Sequence, residues 1–361
     1  MRFWILFFAF VPSLVYSAER PDVIIKKNAQ ASLASVVKTI HRPGETLPTF
    51  FINELIVGEG ADLYLAEDVT INAKRIILKS GSVISTLGHS LTLKTDEFLV
   101  LNFNPNDLSL TQDQKKTVMG RIDTRFREGY HDGKNGQEHP PTIQPKGRNA
   151  YLAPRPLYIT REGGNLAEPG ISGENGKNGG NGKKAGDLTI KVKTFLGGYF
   201  IAKGGNGGAG EPGGAGSDGG DSLGVDPNST PPEFLGDESP IYPFLNGASG
   251  GKGGNGGSGG NGGSGGSVSI ECENNSAEKN KTFFIENQGG RLGEGGGRGL
   301  GGAGGQARHV TLSTRRDRYG VAFQGQNGAQ GYAGLEGENG EKGEAGGMDI
   351  KEGKIYEVED E

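Results

Sequence analysis

The chain has 361 residues, 68 of them glycine, and only 33% are hydrophobic. Ordinary chains carry roughly 7% glycine. Because 58 of the glycines fall beyond residue 160, a large Leu/Ile/Phe core is excluded from that part. The formal charge of −5 supplies no basic face for phosphates, which argues against a nucleic-acid partner.

Residues 1–17, MRFWILFFAFVPSLVYS, join a basic start at Arg2 to an apolar run from Phe3 to Val15. Val15 and Ser17 form a small-residue cleavage pair, and the segment reads as a secretory signal peptide. The run is shorter than the ~20 residues needed to span a bilayer. No later apolar stretch reaches that length, so no membrane span is expected after signal removal. The mature chain is expected to be secreted or extracytoplasmic, in a periplasm or at a cell surface. Its one cysteine, Cys272, leaves no intramolecular disulfide.

Residues 18–103 carry a predicted amphipathic helix over 29–40 (AQASLASVVKTI), stopped by His41-Arg42-Pro43-Gly44. Short strand-like runs follow: Leu55–Val57, Leu63–Leu65, Val69–Ile71, Ile76–Leu78, Val83–Ile84, Leu91–Leu93 and Phe98–Leu101. Leu55 and Ile76 are 21 residues apart, Leu63 and Val83 are 20, and Val69–Leu91 and Ile76–Phe98 are each 22. Three short strands per turn at that period predict a parallel β-solenoid with the helix capping its open end. An antiparallel sandwich is the rival reading.

Residues 104–156 form a polar insertion. Thr111-Gln112-Asp113-Gln114 opens a helix towards Val118 in capping-box style, and a proline-rich link ends the segment. His131, Asp132, Glu138 and His139, near Asp123, Arg125 and Arg127, are its densest group of ligand-type side chains. A metal or polysaccharide-cleaving site uses such groups. No helical or strand spacing brings them together here, so a solvated loop is the better reading. No catalytic residue, metal or cofactor is assigned.

From 157 to 350 apolar strands alternate with glycine tracts. The strands include Leu188–Val192, Tyr199–Ile201, Val268–Cys272, Phe283–Ile285, Val310–Leu312, Val321–Phe323 and Met348–Ile350. Within five tracts, 170–182, 204–219, 247–265, 290–305 and 325–346, glycine falls at every third position. That period matches a polyproline II helix, which has three residues per turn. One edge of each tract is then bare backbone, open to close approach by a neighbour. A collagen triple helix is disfavoured because Pro212 is the one proline at a non-glycine position of these tracts. A polyglycine II helix bundle within one chain is the preferred reading, and a flexible linker is the alternative. The architecture expected is all-β, a solenoid-like N-terminal half followed by the glycine bundle, with an acidic tail at 351–361.

The phased run 250–266 (GGKGGNGGSGGNGGSGG) and the Gly-X-Y run 325–346 resemble glycine-rich and collagen-like domains of exported bacterial surface proteins. The pattern is also similar to the polyglycine II sandwich of phage tail-tip adhesins. The resemblance covers about residues 160–350 and implies stiff display of loops for recognition. No functional residue is carried over from it.

The loop 221–246 between two long tracts contains Phe234, Tyr242 and Phe244 beside Asp237 and Glu238, and is the expected contact point for a cell-surface glycan or protein. Gly213–Asp218 matches the start of a calcium-binding nonapeptide, but Gly220 takes its hydrophobic position and no tandem copy follows. Cys272 alternates with Val268 and Ile270 and reads as a core residue. Asn228, Asn274 and Asn280 open glycosylation acceptor triplets, relevant in a eukaryotic secretory pathway. The expected function is a non-enzymatic structural or adhesive surface protein. A polysaccharide-cleaving solenoid enzyme is the alternative, and ice binding through a flat glycine face is disfavoured by the charged residues of the tracts. The oligomeric state is open, with a trimer allowed if tracts pair between chains.

Overall fold

A computed structural model describes residues 20–37, 47–101, 111–126, 132–134, 146–148, 151–152, 164–222, 246–277, 283–312 and 321–353. The signal-peptide segment 1–17 and most of the acidic tail lie outside the described residues.

The chain is mostly strands in parallel sheets, with few helices. One sheet contains, in spatial order, β1 (Val23–Ile25), β3 (Thr49–Val57), β5 (Val69–Leu78), β7 (Leu91–Val100), β11 (Leu188–Phe195), β13 (Val268–Asn275) and β17 (Met348–Glu352). The chain alternates between this sheet and a second one of β2 (Gln30–Ser32), β4 (Asp62–Tyr64), β6 (Val83–Ser85), β8 (Arg121–Asp123), β12 (Gly198–Ile201) and β14 (Phe283–Glu286). Two antiparallel pairs stand apart, β9 (Tyr151–Leu152) with β10 (Gly164–Asn165) and β15 (His309–Leu312) with β16 (Val321–Gln324).

The spacing read from sequence reappears as strand register. Leu55 faces Ile76, Ile76 faces Phe98, and Val69 faces Leu91. Leu63 faces Ile84, one residue beyond the expected partner. Both large sheets are wholly parallel, which removes the antiparallel sandwich. Alternate residues of both sheets turn into one core: Leu55, Ile76, Leu93, Ile190 and Ile270 from the first, and Leu63, Ile84, Ile122 and Phe200 from the second. Phe98, Phe195, Phe200 and Phe283 stack through this core with ring centroids 6.0–6.3 Å apart.

Two local expectations need correction. Val69–Ile71 and Ile76–Leu78 are one strand, so each repeat of about 21 residues has two strands and not three. The polar residues between them do not break β5, because Arg75 faces outward between Glu54 and Glu97, with ion pairs of 2.9 and 3.0 Å. Of the helix expected over 29–40, the described residues 29–37 instead form β2 followed by the single turn α1 (Leu33–Val36). A short isolated helix is marginal in water. Pairing Ala31 with Leu63 and burying Leu33 completely satisfies the same apolar residues in another conformation. The second predicted helix is present as α2 (Gln112–Val118), with the Thr111–Gln114 capping box formed.

Each glycine tract departs from or returns to a strand. The first, third and fifth lead into β11, β13 and β17; the second and fourth leave β12 and β14. Tracts of the same direction bond in parallel, as Gly173 N–H to the Lys252 carbonyl and Gly253 N–H to the Tyr332 carbonyl, both 2.8 Å. Tracts of opposite direction bond antiparallel, as Gly214 to Glu174, Gly257 to Glu211 and Gly337 to Gly296, each 2.8 Å. At almost every phase glycine an added Cβ would fall onto a carbonyl of the adjacent tract. This is why glycine keeps its beat: the missing side chain lets two backbones touch.

A polar ladder fixes the register on the outward side. Asn175 Oδ1 accepts from Asn255 N–H at 2.8 Å, and Asn255 Oδ1 accepts from Leu335 N–H at 2.9 Å. Asn181, Asn261 and Glu341 repeat the arrangement. The step of 80 residues equals that from Leu188 to Val268 to Met348 in the sheet, so tracts and strands advance together.

Candidate functional site

The tracts place three chain reversals at one end, remote from the two large sheets. The first lies between residues 148 and 166 and includes the β9–β10 pair. The second joins Ser222 to Asn246, and the third includes the β15–β16 pair. Their flanks are bonded to each other: Ser222 N–H to the Gln306 carbonyl at 2.8 Å and Gly247 N–H to the Gln326 carbonyl at 3.0 Å.

Side chains from several tracts brace this end. Lys146 Nζ meets Asp221 Oδ2 at 2.7 Å, and Asp221 Oδ1 accepts from Gln306 N–H at 2.9 Å. The Gln306 amide, then the Lys146 hydrogen bond, hold the Asp221 carboxyl below its ordinary value. Arg148 Nη2 meets Glu168 Oε1 at 2.6 Å, and this pairing lowers the Glu168 carboxyl. These links tie residues 146–148 to the first, second and fourth tracts.

The loop residues expected to make contact, Phe234, Tyr242, Phe244, Asp237 and Glu238, lie outside the described residues; the points where the chain enters and leaves their segment are fixed. His131, Glu138, His139 and Arg127 also lie outside them. Asp132 is described, and it accepts from Asn206 N–H at 2.6 Å, so it stands against the second tract. Gly133 N–H bonds to the Asn206 carbonyl and Gly147 N–H to the Asp218 carbonyl. Sequence reading missed this because Gly133 and Gly147 are 14 residues apart, which breaks the three-residue phase. Asp218, from the calcium-like nonapeptide, accepts from Ala303 N–H at 2.7 Å. Among the described residues no three His, Cys, Asp or Glu side chains gather as a metal site. Cys272 is fully buried in β13.

A second charged group, of which the sequence singles out Asp123 and Arg125 alone, covers the outer side of the second sheet. Asp123 takes Arg125 bidentately, with Nε–Oδ1 2.9 Å and Nη2–Oδ2 2.6 Å. Lys116 of α2 reaches Glu286 Oε1 at 2.6 Å and lies over the rings of Tyr199 and Phe284 at 5.7 and 5.9 Å. Burial, together with the Glu286 charge, pushes the Tyr199 hydroxyl up to about 12. Burial alone would raise the Glu286 carboxyl, but hydrogen bonds from Lys116 and Tyr199 hold it low. Burial raises Asp62, whose Oδ1 and the Nε of Arg121 are buried without hydrogen-bond partners. The Lys116–Glu286 pair ties α2 to β14, and the Arg125–Asp123 pair holds the chain just beyond β8.

Among the described residues no helix is long and apolar enough to cross a membrane. Comparison with protein-family models, with curated proteins and with solved structures gives no match.

Proposed function

We propose that this chain is an exported structural or adhesive surface protein that holds recognition loops at the end of a stiff glycine-rich arm. In this reading the two parallel sheets are the faces of a β-solenoid. The tracts are polyglycine II helices bundled against one another and projecting from it. The in-phase amide–carbonyl bonds between all five tracts support the bundle, and the alternation of strands between two sheets around one core supports the solenoid. At ~3.1 Å per residue, the third tract carries the reversals roughly 60 Å from the strands.

The observation that carries the functional reading is the convergence of all three reversals at one braced end. Rigid scaffolds commonly place recognition on loops. The segment with Phe234, Tyr242 and Phe244 joins the second and third tracts there, and a cell-surface glycan or protein is the partner class it fits. Deleting residues 225–243 and closing the gap with a short Gly/Ser link tests this. The variant is expected to keep the wild-type circular dichroism spectrum and lose binding to cell surfaces and glycan arrays. Unchanged binding by a folded deletion variant would remove the loop from the reading.

A further inference from the structure

The two ends of the strand stack are finished differently. At the first end Val23, Ile25, Leu33 and Val37 are each less than one-tenth exposed, with Leu33 of α1 wholly buried. At the last end β17 and β14 are the outer strands of their sheets, and among the described residues no strand pairs with the far main-chain edge of either. Met348 is 63% exposed, and Ile350, Phe283 and Ile285 are half-buried although they lie on the core side of their strands. Phe283 also ends the ring stack, 6.1 Å from Phe195. Stacked architectures need a polar or covered final repeat, and an exposed strand edge is a template for another chain.

The glycine tracts treat the same side of the molecule in the opposite way. Where the first and third tracts carry the ladder residues Asn175, Asn181, Asn255 and Asn261, the fifth carries Leu335 and Glu341 in the positions that follow. Leu335 offers no side-chain oxygen to a further tract. Asn339 on the fifth tract instead accepts from Gly295 N–H of the fourth at 2.8 Å. The ladder of Asn175 and Asn255 therefore stops at Leu335 of the fifth tract, while among the described residues the strand stack beside it stays open.

The open strand is self-complementary. β17 reads Met348-Asp349-Ile350-Lys351-Glu352, and Asp349 and Lys351 share its outward side, 2.7 Å apart, both more than half exposed. Rotating the strand by a two-fold axis through Ile350 gives an antiparallel pair. Asp349 of each copy then stands opposite Lys351 of the other, and Ile350 opposite Ile350. Opposite charges directly across an antiparallel pair stabilise it, and like charges disfavour it.

We propose that the open end of the strand stack is a self-association surface, on which β17 of a second copy pairs antiparallel and two-fold symmetrically, covering Met348, Ile350, Phe283 and Ile285. The contact is isologous and closes at two copies. The two sets of glycine tracts then point in opposite directions along the joined sheet, since each tract enters its own β17 from the opposite side.

Sedimentation velocity over a concentration series, on the chain from Ala18 onward, tests the proposal with two charge variants. Lys351→Asp leaves β17 with acid at both outward positions, and Asp349→Lys leaves it with base at both. The wild type is expected to dimerise reversibly, and each variant alone to associate at least about tenfold more weakly. An equimolar mixture of the two variants is expected to form heterodimers, because each acid then faces a base. Wild-type monomer at every concentration overturns the proposal, as do dimers that ignore the substitutions or a mixture no tighter than its components. A chain that dimerises only after residues 354–361 are removed also overturns it, by assigning the open end to the chain's own C-terminal segment.

Discussion

Gly256 and Ser258 lie two residues apart in the third tract, and valine is expected to be tolerated at the second and not at the first. A Cβ on Gly256 would fall on the Gly296 carbonyl of the fourth tract and sit 2.8 Å from the Gly297 oxygen. Both obstacles are backbone and cannot rotate away, so the two tracts must separate. The third and fourth tracts are joined by six N–H to carbonyl bonds, and three of them flank this point: Gly293 to Gly260, Gly296 to Gly257 and Gly299 to Gly254. At roughly 1 kcal/mol net per bond, separating them costs about 3 kcal/mol. Replacing glycine restrains the unfolded chain and returns about 0.4–1 kcal/mol, so Gly256→Val is expected to lose about 2–3 kcal/mol. Ser258 is half-buried on the ladder side of the tract, and its N–H bond to Asn178 survives substitution. Ser258→Val should stay within about 0.5 kcal/mol. Urea unfolding followed by circular dichroism measures both. Equal losses at the two positions, or no loss at either, would refute the packing of backbone on backbone.

The ladder predicts an asymmetry of its own. Asn255 Oδ1 accepts from Leu335 N–H, while the Asn255 main-chain N–H, which donates to Asn175, survives substitution, so Asn255→Leu loses one bond and should cost about 1 kcal/mol. Leu335→Asn, at the ladder's end, should change the urea midpoint little. At high pH the Tyr199 hydroxyl matters. Its folded value of about 12 lies above the ordinary 10, so its contribution to stability is complete below pH 10 and is lost as pH rises through about 12. Tyr199→Phe should therefore narrow the gap in stability between pH 9 and pH 12 relative to wild type, and an unchanged gap would place the alkaline loss elsewhere.

Much of the architecture was legible because single residues answer to single contacts. Leu55, Ile76 and Phe98 repeat at 21 and 22 residues, and each lies opposite the next. The phase glycines mark the edges where tracts touch, since a side chain there meets a neighbour's carbonyl. The charged braces at the tract end were less legible. Lys146, Arg148, Glu168 and Asp221 are ordinary solvent-type residues, and their partners lie 20 to 75 positions away. Residues 29–37 misled because alternating and helical spacings coincide over so short a window, and β4 then supplied partners for a strand.

The amino-acid sequence by itself determined the strands, their spacing of 20 to 22 residues and the glycine beat, because each is local: alternation, turn residues and the absence of Cβ act within a few positions. That the strands pair in parallel was decided by the tertiary structure. Only the tertiary structure decided which tract lies on which. The 80-residue step, the attachment of 132–134 and 146–148, and the convergence of three reversals at one end depend on backbone amides meeting backbone carbonyls. Those groups are the same in every residue but proline and carry no sequence signature. Their partners are chosen by the register that the strands hand on to the tracts.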